Sequence, residues 1–161
     1  MTGEGHKNVN RRDKFFSDAL VMDTLRGKHS TGVFGAGTSK NNKPSVVHTH
    51  KEAVDGHTFV EGKGFAEFQR YLFNFAVGHN RHATMGGINA KNAHPFQIGD
   101  ITLVHNGTLD TTGGLPAPMR SLPTIDVDSE AICHNLAYYD AKAVIEELDG
   151  AFALVWHDAR D

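Results

Sequence analysis

The sequence predicts an α+β domain in which mainly antiparallel sheets pack against helices. Three observations carry that expectation. Strand-like apolar runs follow one another closely, as at Val33–Ala36 and Val46-Val47. Helical spacings of three and four sit in separate blocks, without the regular alternation of a βαβ design. Finally, the runs Phe75–Val77 and Ile101–Val104 lead directly into polar, glycine-containing clusters, GHNRHATMGG and HNG. Strands that end this way deliver polar side chains to one rim of a sheet, on rigid supports where sites tend to be built.

Length and composition bound the rest. A chain of 161 residues has enough mass for one domain with a real core. Its net charge of −3 argues against a nucleic-acid partner. A lone cysteine, Cys133, excludes a disulfide within the chain and fits a reducing, cytoplasmic setting. No apolar run approaches the ~18–20 residues of a membrane span, so no membrane partner is expected. The polar start MTGEGHKNVNRRDK is no signal peptide. The 11 histidines are scattered. His79 and His82 lack strong metal spacing and no Cys or carboxylate cluster completes them, so neither a metal nor another cofactor is expected.

In chain order, residues 1–10 carry Gly3, Gly5 and two Asn without periodicity and read as a loop or frayed end. From Arg11, Phe15, Ala19 and Met22 form a stripe with Phe16, Leu20 and Asp23 beside it. That spacing predicts a helix to about Leu25, with Gly27 as its stop. A polar turn over Arg26–Gly32 leads to the strand Val33–Ala36, and the cluster GTSKNNKP before Val46-Val47 predicts a hairpin. A short helical turn is expected within Lys51–Val60, and Phe65, Phe68, Tyr71 and Leu72 predict a helix over roughly Gly64–Asn74. Asp110–Pro123 reads as a long loop. Asp126–Glu130 supplies capping oxygens for a helix through Ala131, Ile132 and Leu136. A further helix covers about Ala141–Leu148, and Ala151–Trp156 reads as a strand buried on both faces. Because the chain stops soon after this central-looking strand, the native polypeptide is expected to continue.

Each polar cluster has a chemical reading and a plainer one. His105-Asn106-Gly107 can aim an amide side chain and a main-chain N–H at one point, as an oxyanion hole requires, each donor stabilising a transition state by ~3–4 kcal/mol. Asn-Gly alone is also the strongest hairpin-turn signal. Arg81 can bind a carboxylate bidentately, with the Thr84 hydroxyl as a second donor, or can be a surface arginine. Asp128 can meet a ligand ammonium or cap the following helix. His48 and His50 share a strand face and read as solvated, and Cys133 as a small buried apolar residue.

Taken together, the clusters resemble class II glutamine amidotransferase domains, of the N-terminal nucleophile type. Arg26-Gly27-Lys28-His29-Ser30-Thr31-Gly32 is similar to that family's R-G-x-D-S-x-G turn. Gly78-His79-Asn80-Arg81-His82-Ala83-Thr84-Met85-Gly86 is similar to its G-H-x-R-W-A-T-x-G. His94-Pro95 with His105-Asn106-Gly107 resembles its H-P…H-N-G. Asp126–Glu130 resembles T-D-[ST]-E, and Leu148–Phe152 the L-x-G-[AS]-[FY] strand beyond. The resemblance implies one domain over residues 1–161, a four-layer αββα sandwich incomplete at both ends. It implies hydrolysis of glutamine to glutamate and ammonia, the ammonia passing to a synthetase or transferase domain or partner. Arg81 and Thr84 would then hold the substrate α-carboxylate, with Arg26 and His82 beside them. Asp128 would hold the α-ammonium, and Asn106 and Gly107 would form the oxyanion hole.

Two features depart from that pattern. His29 and His82 stand where the family often has Asp and Trp. The nucleophile is also missing: the family attacks with a cysteine exposed as residue one, whose own α-amine is the base, whereas this chain opens Met1-Thr2-Gly3-Glu4-Gly5. Three explanations compete: a first strand absent from this chain, a catalytically inactive binding or regulatory module, or Thr2 as the nucleophile. The ammonia acceptor and the oligomeric state have no signature in the sequence.

Overall fold

The structure is a computed structural model that describes residues 3–37, 46–71, 73–110, 125 and 127–160. The expected turn after Gly37, Leu72, most of the Asp110–Pro123 loop, Asp126 and the alternative nucleophile Thr2 lie outside the described residues. The described elements are α1 (Gly3–Asp23), β1 (Ser30–Gly37), β2 (Val46–Glu52), α2 (Gly56–Glu61), α3 (Lys63–Phe68) and β3 (Phe75–Arg81). They continue with β4 (Phe96–Ile98), β5 (Ile101–Leu109), α4 (Asp128–Tyr138), α5 (Ala141–Glu147) and β6 (Gly150–Asp158). Two antiparallel three-stranded sheets result, ordered β2-β1-β3 and β4-β5-β6.

Strand alternation sorts the residues into four layers. On the outer face of the first sheet, Val33 joins Leu20 of α1, Phe59 of α2 and Phe65 and Phe68 of α3 in one buried cluster. On the outer face of the second sheet, Ile101, Leu103 and Leu109 pack with Ala131, Ile132, Cys133 and Leu136 of α4 and Val144 of α5. Each fully buried Leu or Ile there contributes roughly 1.5–3 kcal/mol of transfer free energy. The inner faces look at each other. Phe34 meets the Phe75 ring edge-on, and Phe75 meets His157 of β6 at 5.5 Å. This is the expected αββα order.

Several local expectations are corrected. Residues 3–10 are helical rather than a loop, because extending an anchored helix fixes one residue per hydrogen bond and needs no new nucleus, despite its Gly and Asn. Of the α1 stripe, Phe15, Met22 and Leu25 stay exposed while Leu20 is buried. α3 ends at Phe68, well short of Asn74. The three-residue β4, too short to show a periodicity, went unread. β6 is not buried on both faces, since Val155 and Trp156 remain 50% and 37% exposed. Its only partner among the described residues is β5. His48 and His50 are stacked rather than solvated, on Tyr71 and Phe59 respectively.

One side chain ties the two halves. Lys51 lies opposite Gly32 in the β1–β2 register. Its ammonium donates to the carbonyls of Lys91, Ala93 and Pro95 at 3.2, 2.7 and 3.0 Å and sits over the Phe96 ring. Gly32 makes room for this segment, since a Cβ there would run into the His94 carbonyl oxygen. Lys51→Met keeps the apolar stem and removes the donors, so unfolding in urea should show a loss of about 2–4 kcal/mol.

Candidate active site

The inner faces diverge into a cavity of about 610 Å³. All seven residues singled out from the sequence line it: Arg26, Arg81, His82, Thr84, Asn106, Gly107 and Asp128. They come from four separate chain segments, so it is the fold that brings them together. Val77, His79, Val104, Ala151, Ala153 and Val155 complete much of the wall.

Asn106 and Gly107 lie inside β5, not in a hairpin turn. They pair with Ala153 and Phe152 across to β6. Gly107 has φ of 146°, and a Cβ would come within 2.7 Å of the Phe152 Cα. Both the positive φ and the close strand approach demand glycine. The plainer hairpin reading therefore fails because β5 continues through the pair to Leu109. Asn106 is exposed toward the cavity, and its amide has no protein partner among the described residues. An amide donor next to a main-chain N–H on one strand is the chemistry of an oxyanion cradle.

Arg81 ends β3 with its side chain buried at 5% exposure, so it is no surface arginine. Its Nη1 donates to the Gly87 carbonyl at 3.4 Å and its Nη2 to that of Met85. These bonds fix the fork and leave further N–H groups for a ligand. Asp128 opens α4, while the cap position belongs to Val127, which makes no side-chain cap bond. The Asp128 carboxylate accepts Leu109 N–H at 3.0 Å and Ser129 N–H at 2.8 Å. A carboxylate has about four acceptor sites, so capacity remains for an ammonium. Arg81 and Asp128 thus place opposite charges on one cavity.

The cavity lining also holds histidines to which the sequence reading gave no role in the site. The His79 and His94 rings lie 4.0 Å apart. His105 Nδ1 is 2.9 Å from Ser129 Oγ and 3.9 Å from the Asp128 carboxylate. Desolvation on burial holds His79 down at about 4 and puts His94 well below the ordinary imidazole range. Both stay neutral near pH 7. Spacing could not reveal them, because they come from β3 and the segment before β4. Cys133 is fully buried, with its thiol pushed up to about 12 by desolvation. It donates toward Phe96 O at 3.6 Å, and the cavity wall does not include it. No group of His, Cys, Asp and Glu suited to a metal occurs among the described residues, and no described helix is long and apolar enough to cross a membrane.

Comparison with known proteins bears on the fold that carries this cavity. The chain is 31% identical over 157 residues to a glutamine–fructose-6-phosphate aminotransferase of Sulfolobus acidocaldarius, covering 89% of the chain and 25% of that protein. The enzyme of the same name from Vibrio parahaemolyticus is 30% identical over 152 residues, covering 84% and 23%. That of Caulobacter vibrioides is 39% identical over 90 residues, covering 48% and 15%. The chain thus spans a quarter or less of the length of these relatives. Among solved structures, the allosteric regulatory enzyme of purine biosynthesis superposes with a TM-score of 0.65 at 19% identity, over 91% of this chain and 32% of that one. Its N-terminal-nucleophile-hydrolase-like fold is the fold described above. No protein-family model matches the chain.

The neutral histidines set a pH dependence. A base whose native pKa lies below its unfolded value binds protons better when unfolded, so acid favours unfolding. For His79, stability is complete above its ordinary 6.5 and falls as the pH drops from there toward about 4. The urea midpoint should therefore decrease between about pH 7 and pH 4.5, and His79→Asn should flatten that slope.

Proposed function

We propose that this chain, a class II glutamine amidotransferase domain by its relatives and its fold, binds glutamine between its sheets and hydrolyses the side-chain amide to glutamate and ammonia. The observation that carries the reading is the convergence of Arg81, Asp128, Asn106 and Gly107 on one cavity. An amino acid presents a carboxylate, an ammonium and, in glutamine, an amide carbonyl. Arg81, with Thr84, takes the first, and Arg26 and His82 stand at the same wall. Asp128 takes the second. The Asn106 amide and Gly107 N–H receive the oxygen of the third as it becomes an oxyanion, an interaction that strengthens only in the transition state.

Attack on the amide carbon needs a nucleophile beside this cradle. Cys133 does not line the cavity; the family resemblance implies instead a cysteine exposed as residue one, with its own α-amine as the base. Its attack would form a tetrahedral intermediate and then a thioester as ammonia leaves, and water would release glutamate. The ammonia would pass to a transferase or synthetase domain or partner. The relatives' names suggest a sugar phosphate as its acceptor.

Binding and chemistry are separable by experiment. Calorimetry should detect glutamate or glutamine binding to the chain as it stands. Arg81→Lys, which keeps the charge but loses the bidentate fork, should weaken it by about 10–100-fold, while Asn106→Ala should leave it nearly unchanged. A chain extended by a Cys-Gly-opening apolar strand should release ammonia from glutamine. There Asn106→Ala should lower kcat by about 100–1,000-fold. No binding in a folded chain would refute the pocket assignment. Binding without ammonia release from the folded, extended chain would instead make this domain a glutamine-sensing module.

A further inference from the structure

Two of the positions at which this chain departs from the amidotransferase motifs touch each other. The rings of His29 and His82 lie 4.7 Å apart, inclined at 31°. His29 precedes β1, and His82 is the residue after β3, exposed at the cavity. His29 also makes two directed bonds to the segment that carries Arg81. Its main-chain N–H donates to the Arg81 carbonyl at 3.1 Å. Its ring Nδ1 accepts the Ala83 N–H at 2.9 Å. The first bond is available to any residue at position 29. The second belongs to the side chain, and it is made just where the backbone leaves the sheet and enters the turn that presents Thr84.

We propose that His29 is a positioning residue for the carboxylate-binding turn, its Nδ1 lone pair holding the Ala83 amide so that Arg81 and Thr84 face the ligand together. The bond sets the tautomer: Nδ1 is the acceptor, so the proton of the neutral ring is on Nε2.

Asparagine separates an acceptor role from a merely structural one. The Oδ1 of Asn sits where His Nδ1 sits and accepts a hydrogen bond at any ordinary pH, whereas Leu fills similar space without an acceptor. The inference rests on the cavity being an amino-acid site, but its first test needs no ligand. Amide exchange at Ala83, followed by NMR in the free protein near neutral pH, should be about tenfold or more faster in His29→Leu than in wild type. His29→Asn should protect the amide as wild type does. Glutamate affinity should follow the same order, with His29→Leu about tenfold weaker and His29→Asn within about threefold of wild type. Equal Ala83 protection in all three proteins overturns the proposal, as does glutamate affinity in His29→Leu equal to that of wild type and His29→Asn. Failure of every protein to bind glutamate, with Ala83 exchange ordered as expected, would count against the substrate reading and leave the grip intact.

Discussion

A single ammonium group closes one end of the sandwich, and the cavity exists because the other end is not closed the same way. Lys51 reaches from β2 to three carbonyls of the segment before β4, and Gly32 lets that segment lie directly on β1. A buried charge is tolerable only when its donors are used, and here all three find carbonyl oxygens. At the far side β6 presents the short side chains of Ala151, Ala153 and Val155 to the cavity, while His157 further along still reaches Phe75 of β3. Two sheets clasped at one end and spaced at the other form a wedge. The site residues lie along its walls.

That wedge explains why charged groups can share so small a space. Arg81 approaches from the end of β3 and Asp128 from the start of α4, each already engaged by main-chain groups of its own side. Neither depends on the other for its hydrogen bonds, so a zwitterionic ligand need not break an internal ion pair on entry. Behind them the imidazoles of His79 and His94 remain uncharged, because desolvation disfavours the charged ring and the nearby Arg81 charge adds to it. A protonated pair there would oppose the Arg81 guanidinium across the same wall. Burial therefore fixes the sign of the cavity floor.

Much of this was legible in the sequence where a local rule coincided with the tertiary outcome. Apolar runs found the centres of β1, β3, β5 and β6, and the polar cluster before Ala131 marked the start of α4, though its cap, Val127, makes no side-chain bond. The motif blocks named seven residues that the fold gathers. What stayed hidden was non-local. Nothing around Lys51 marks it as a clasp, because its partners are carbonyls some forty residues on. The side-chain bond to Ala83 that distinguishes His29 crosses more than fifty residues. The Asn-Gly pair misled in the opposite sense, since its turn propensity is real but the register with β6 overrides it. Helix limits failed for the usual reason, that propagation from a packed centre is decided by tertiary anchoring and not by the terminal residues themselves.

The left-handed Gly107 lies against the Phe152 backbone, with too little space even for a methyl group. The distance between β5 and β6 and the aim of the Asn106 amide are consequently one variable and not two. A substitution far along β6 that widened the strand pair would make position 107 more permissive and blunt the donor beside it in the same movement. Tolerance to mutation and sharpness of the site trade directly against each other along this strand pair.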